Sequence, residues 1–222
     1  VILILFSGRP MTLAWENENA DAILNVWFPG VEAGNAIADV IFGNVNPSGK
    51  VTMTYPRSVG QVPIYYDYMN TGRPPLKDHP MEKYRTGYID ESYEPLYPFG
   101  FGLSYTTFKY GDITLNKSSM KPDEIIEASI EVTNTGNYEG KEIVQLYIRD
   151  VTGSVSRPIS ELKGFEKISL HPGETKTVRF QINVNMLKFY DYNLNYVFEP
   201  GEFELKIGSN NRDVIIKKFF LE

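Results

Sequence analysis

The chain has 222 residues, 42% hydrophobic and 23% charged, which is enough apolar material for a packed core and argues against wholesale disorder. Its 22 basic and 28 acidic residues leave a net charge of −6, which disfavours a nucleic-acid partner because neutralising phosphates takes a basic face. The absence of cysteine removes disulfides, thiolate catalysis and cysteine-held metal, and the two histidines, His79 and His171, are too few and too far apart for a histidine metal cluster.

Val1–Phe6 (VILILF) is a continuous apolar run, the pattern of a strand buried on both faces in a parallel sheet. It has neither an initiator Met nor a basic flank, and it is too short for a signal-peptide core. A chain that starts inside a core strand reads as a piece of a longer protein. After the turn Ser7-Gly-Arg-Pro10, a second β-rich run covers Ala22–Phe28 and closes at Pro29-Gly30. Val31–Phe42 carries a helical stripe of Ala33, Ile37, Val40 and Ile41, with Gly43 at the stop position. Asn46-Pro-Ser-Gly49 is turn chemistry, and Lys50–Tyr55 reads as a short strand. Residues 1–64 therefore read as part of a parallel α/β domain, with too few strands to close both faces of its sheet.

Residues 65–105 change character. They hold eight of the 15 tyrosines, interleaved with five prolines, and show neither helical nor strand periodicity. This predicts an extended but ordered connection, since a flexible linker would be rich in Gly and Ser. From 106 to 222 the pattern is all-β. Period-2 alternation marks Ile126–Thr133, Val144–Ile148, Val178–Val184 and Phe203–Ile207, with turns at Asn134–Asn137, Pro172-Gly173 and Pro200-Gly201. About seven short strands without a Cys…Trp…Cys pattern fit a fibronectin III-like sandwich. No apolar stretch approaches a membrane span.

Chemistry is harder to place. Glu16 and Glu18 follow the first strand, where open α/β sheets put functional groups, but the solvated loop acid is the preferred reading of both. Tyr68, Asn70 and Arg73 are candidates for a sugar-facing rim, because rings stack on pyranose C–H faces while the amide and guanidinium offer hydrogen bonds. The competing account of these tyrosines is glue between domains. Gly100-Phe-Gly102 lacks the strand, helix and spacing of a dinucleotide loop and reads as a structural turn. Asn134, Asn137 and Asp150 match no Ca²⁺-loop spacing, so turn chemistry accounts for them. Lys217-Lys218 reads as a solvated pair. Nothing indicates a cofactor or metal.

A series of motifs carries a resemblance. Leu5-Phe-Ser-Gly-Arg-Pro10, Ala20-Asp-Ala-Ile-Leu24, Trp27 to Gly43, Asn46-Pro-Ser-Gly-Lys50, Pro56 to Pro63, Asn70-Thr-Gly-Arg-Pro74 and Leu96 to Tyr105 occur in one order. Val132-Thr-Asn-Thr-Gly136, Arg157-Pro158, Leu162-Lys-Gly-Phe165 and Pro172-Gly-Glu174 follow them. The series closely resembles the C-terminal part of glycoside hydrolase family 3, above all periplasmic or secreted bacterial β-glucosidases.

That resemblance implies a parent with an N-terminal (β/α)₈ barrel in cis, an α/β sandwich domain and a fibronectin-like module. It implies retaining, exo-acting hydrolysis of β-linked oligosaccharides or glucosides at a periplasmic or extracellular address. The nucleophilic aspartate and the acid/base glutamate are expected upstream of residue 1. Glu16, Glu18 and Glu32 lie past the Ser-Gly-Arg-Pro turn and do not match the acid/base position, so no catalytic residue is assigned within the chain. The alternative is a non-catalytic carbohydrate-binding or adhesive sandwich, although residues 106–222 contain no tryptophan and their tyrosines show no platform spacing in sequence. A purely structural, buttressing role suits the same residues.

Overall fold

Two sheets turn their apolar faces toward each other and enclose most of the side chains that leave solvent. The computed structural model describes residues 1–75 and 82–222; His79 lies outside the described residues.

The first 64 residues form β1 (Ile2–Leu5), α1 (Ala14–Asn19), β2 (Ala22–Asn25) and α2 (Ala33–Ile41). β1 and β2 run parallel, with Ile2 opposite Ala22 and Leu5 opposite Asn25, as two apolar runs joined by a helix-bearing crossover require. The stripe of α2 is half-buried while Gly34, Asn35 and Ala36 face solvent, and Gly43 follows the helix at φ 79°. Two expectations change here. Glu16 and Glu18 sit on the short helix α1 rather than in a loop. Lys50–Tyr55 forms no strand: Val51 and Tyr55 bond to the end of the tyrosine-rich segment through Val51 N to Phe101 O (2.8 Å) and Tyr55 N to Tyr97 O (2.9 Å). Its pairing partner is an irregular stretch, so a ladder cannot propagate.

The sandwich begins with three short strands, β3 (Phe108–Tyr110), β4 (Thr114–Leu115) and β5 (Ser119–Met120). It continues through β6 (Ile126–Asn134), β7 (Gly140–Asp150), β8 (Glu161–Leu170) and β9 (Thr175–Ile182). The hairpin β10 (Phe189–Tyr190) and β11 (Tyr196–Val197) precedes β12 (Gly201–Gly208) and β13 (Val214–Leu221). One sheet has the order β5-β13-β12-β7-β8; in the other, β6 carries β3 and β4 along one edge and β9 along the opposite one. The inner faces meet through Ile126, Ile130, Leu146, Leu205, Ile207 and Leu221, all at most 1% exposed.

β7 departs from simple alternation. Its inward Val144, Leu146 and Ile148 are buried as expected, yet its outward Gln145 and Tyr147 are buried too, because the tyrosine-rich connection lies over them. Asn134 is fully buried at the end of β6. Its amide nitrogen donates to Tyr138 O (2.8 Å) and Leu170 O (2.9 Å), and its oxygen accepts from Thr106 Oγ1 (2.6 Å) and Gly136 N (3.1 Å). Every polar valence of this side chain serves the turn.

Leu205 lies fully buried on β12, so Leu205→Ala is expected to lower unfolding free energy by about 2–5 kcal/mol through lost transfer energy and a residual cavity. Asn134→Ala strands buried groups and is expected to cost about 1–3 kcal/mol. Urea unfolding measures both, and a change near zero for either would contradict this account of the core.

Candidate functional site: the tyrosine-rich connection

The described residues of the tyrosine-rich segment, 65–75 and 82–105, touch both the α/β part and the outer face of the five-stranded sheet. Their last third is fastened to the α/β part. Leu96 N donates to Tyr55 O (2.9 Å), and the Tyr97 hydroxyl donates to Asn17 Oδ1 (2.8 Å). Tyr55, 2% exposed, lies between Trp27 and Tyr97, and Tyr97 stacks on Phe101 at 5.1 Å between ring centroids. Leu13, Tyr55 and Leu96 thus make a second, small core at this end.

The other fastening is on the sandwich. The Tyr66 ring stacks on Phe99 at 4.2 Å, and both meet Tyr147 edge-on. Leu162 N donates to the Tyr66 hydroxyl (3.3 Å), Asn211 Nδ2 to Tyr66 O (3.2 Å) and Ile159 N to Tyr68 O (3.1 Å). Asn211 N donates to Phe99 O (3.0 Å), while the Gln145 amide donates to Gly100 O (3.1 Å) and Ser209 O (2.6 Å). Gly100 has φ 80°, and a Cβ there would collide with the Gln145 side chain, so only glycine fits the turn. Gly102 is likewise pressed against Gly49 O. The Gly-Phe-Gly segment is a packing device.

The three rim candidates divide between two environments. Tyr68 is half-buried, its ring edge-on to Tyr93 at 5.6 Å. Burial pushes both phenols up, Tyr93 further because of Tyr68 beside it, so both remain protonated. Asn70 and Arg73 are exposed on an excursion that pairs back on itself through Thr86 N to Arg73 O (2.9 Å) and the Thr71 and Thr86 hydroxyls (3.0 Å). No hydrogen bond links any two of the three side chains. Elsewhere on the connection Tyr65, Tyr84 and Tyr105 are exposed, so the segment has a glued face and an open one. Glu16 is half-buried, Glu18 exposed, and Glu32 accepts from Asn35 at the start of α2 (2.7 Å).

One polar cluster at the junction escaped the sequence reading. Lys50 Nζ donates to Gly102 O (3.0 Å) and pairs with Glu142 Oε1 at 3.2 Å, and the Tyr110 hydroxyl donates to the same carboxylate oxygen (2.9 Å). The two charged side chains are 10% and 4% exposed, at the floor of a cleft of about 570 Å³ between Gly102–Phe108 and the Ile207–Ile215 turn. Burial pushes the Glu142 carboxyl up, and Lys50 and Tyr110 draw it partly back. The available signal was Lys50 closing the Asn-Pro-Ser-Gly turn, which gives no hint of a partner 92 positions away.

Removing Lys50 leaves a buried carboxylate without its counter-ion, so Lys50→Ala is expected to cost about 3–5 kcal/mol. Glu142 releases its proton in the unfolded chain near 4.5 and in the folded protein at a higher pH. Its contribution is therefore full below 4.5 and declines as pH rises through the folded value. The difference in urea midpoint between the natural protein and Glu142→Gln should shrink as pH rises from acid to neutral, because Asp21, Glu124, Glu174 and Asp191, held down in the fold, contribute alike to both; parallel profiles would refute it.

Comparisons with known proteins agree with this geometry. Residues 1–105 match the family model of the Glycosyl hydrolase family 3 C-terminal domain, and residues 142–211 match the Fibronectin type III-like domain. The Periplasmic beta-glucosidase of Salmonella typhimurium is 53% identical over 214 residues, 96% of this chain and 28% of that protein. A Beta-xylosidase of Formosa agariphila is 45% identical over 216 residues, again 96% of this chain and 28% of the relative. The crystal structure of a beta-glucosidase from Listeria innocua in complex with glucose superposes with a TM-score of 0.95 at 40% identity, over all of this chain and 31% of that one. The chain thus spans less than a third of these relatives. Residues 1–105 thus carry the C-terminal domain of glycosyl hydrolase family 3, with the fibronectin-like sandwich behind it.

Proposed function

We propose that this chain serves as the C-terminal, non-catalytic portion of an exo-acting, retaining β-glucosidase at a periplasmic or extracellular address. The observation that carries the reading is likeness along the whole chain to a beta-glucosidase solved with glucose, at 40% identity and a TM-score of 0.95. In retaining hydrolysis one carboxylate attacks the anomeric carbon and a second carboxylic acid protonates the leaving oxygen, so no cofactor is needed. The nucleophilic aspartate and the acid/base glutamate belong to the part of the parent upstream of residue 1, with the barrel in cis. Within the chain, the α/β residues and the connection seat the sandwich as a buttress. The open face of the connection, with Tyr68 at its base and Asn70 and Arg73 on its excursion, forms a rim for the β-linked substrate.

The test is hydrolysis of p-nitrophenyl β-glucoside and β-xyloside by the 222-residue chain and by the same chain extended upstream through a complete barrel. Activity is expected only in the extended protein, with the glucoside preferred. Hydrolysis by the chain alone would overturn the absence of catalytic carboxylates, and a preference for xyloside would move the reading toward the Formosa relative. In the extended protein, Asn70→Ala and Arg73→Ala should each raise KM for a β-linked glucose oligomer about 2- to 10-fold with little change in kcat, the size of one lost hydrogen bond. Unchanged KM in both would remove these residues from the rim.

A further inference from the structure

The hairpin β10–β11 stands apart from the two sheets and sorts its residues by side. Phe189 faces inward, 4% exposed, beneath the Arg157 guanidinium at 4.3 Å from the ring centroid. Tyr190 and Tyr196 are directly opposite each other on the outer side, their ring centroids 4.9 Å apart with planes at 39°. Tyr192 is 90% exposed beyond them and Leu194 79% exposed at the tip. Six positions separate Tyr190 from Tyr196, a spacing that suggests no platform until the hairpin folds the strands together.

The tip is built to hold its shape. Asp191 Oδ1 accepts from Asn193 N (2.9 Å) and Asn195 N (2.8 Å), and its other oxygen accepts from Asn195 Nδ2 (3.2 Å). Leu194 adopts φ 63°, the left-handed region that glycine or asparagine occupies more readily. A turn needing only solubility would place one of those there. Here an unfavourable backbone conformation leaves a large apolar side chain exposed at the tip of a hairpin that carries three exposed tyrosines. Such a surface is uncommon on a protein with nothing to bind.

The chemistry of the surface selects its ligand. Lys188, whose ammonium lies 5.7 Å from the Tyr196 centroid, and Asp191 balance each other, so residues 188–196 carry no net charge. An anionic membrane or polyanion would need excess positive charge, and an apolar protein face would need more aliphatic bulk than Leu194. Aromatic faces edged by the exposed amides of Asn193 and Asn195 suit a pyranose, whose C–H faces stack on rings while its hydroxyls bond amides. We propose that this hairpin is a binding platform for neutral β-linked oligosaccharides. It rests on the β-glucosidase reading only for the β linkage and requires no catalytic residue.

The experiment is native electrophoresis of the 222-residue chain in gels containing barley β-glucan, with cellohexaose titrations for affinity. Retardation by β-glucan, and none by α-linked dextran, is expected. Tyr192→Ala and the double variant Tyr190→Ala/Tyr196→Ala should each weaken binding about tenfold, at unchanged melting temperature, for loss of one stacking surface. Tyr192→Phe, which keeps the ring, should bind as the natural chain does, and so should Tyr138→Ala, an exposed tyrosine elsewhere. No retardation, equal retardation by dextran, or retardation indifferent to the alanine variants would overturn the platform. So would a dimer in sedimentation that Tyr192→Ala abolishes, which would give the surface to a second copy. The p-nitrophenyl assay reads catalysis separately: loss of hydrolysis with glucan binding intact leaves the platform standing, and the converse leaves the enzyme reading standing.

Discussion

The placement of the first 105 residues against the sandwich turns on a single buried amide. Gln145 projects outward from β7 and is 3% exposed. Its nitrogen reaches Gly100 and Ser209, and its oxygen accepts from the Tyr147 hydroxyl. One side chain therefore ties together the connection, the turn after β12 and the aromatic group of Tyr66, Phe99 and Tyr147. In a dry site each of these bonds is worth more than in water, and each partner left without one would be costly. That is why the turn carrying Gly100 must approach so closely.

Around this point the connection behaves as a third layer on the sandwich. Its rings supply apolar area, its backbone carbonyls find partners in Ile159 and Asn211, and the Tyr66 hydroxyl takes up Leu162 N, which ties down an extended segment that has no ladder of its own. The sheet beneath is matched to that cover. Arg157 lies between Asp150 at 3.6 Å and Glu161 at 3.0 Å, and Lys206 donates to Ile159 O (2.8 Å). Burial drives the Asp150 carboxyl upward and the Lys206 ammonium downward, the mark of charges enclosed under another layer.

What could be read in advance follows from physical period. β6, β9 and β12 alternate because one face meets the core, β7 keeps the period in Val144, Leu146 and Ile148 although its outward side chains are covered too, and α2 keeps its stripe. β8 and β13 were not legible. β8 has Lys163, Gly164 and Phe165 where a regular strand would alternate, and its pairing with β7 shifts register between Leu146 and Tyr147. In β13 the solvated pair Lys217-Lys218 interrupts the apolar residues, and its partner is a glutamate, Glu202, on β12. The small helix α1 has neither length nor a capping side chain to announce it. At the site, the tyrosine count set the segment apart, but which rings would be buried depended on long-range partners such as Tyr147. The Lys50–Glu142 pair and the outer face of the β10–β11 hairpin exist only once distant residues meet.

The hydrogen bond from Leu162 to the Tyr66 hydroxyl has a consequence for how the protein keeps to itself. β8 ends its sheet, and outward amides on a terminal strand offer a template to any passing extended chain. The phenol occupies one of those amides, Met69 bridges to Pro158 just before the strand, and Lys163 and Lys167 charge the remaining length. The segment that seats the α/β residues thereby shields a seam at which molecules could otherwise polymerise, so loosening it would endanger solubility before it endangered the sandwich itself.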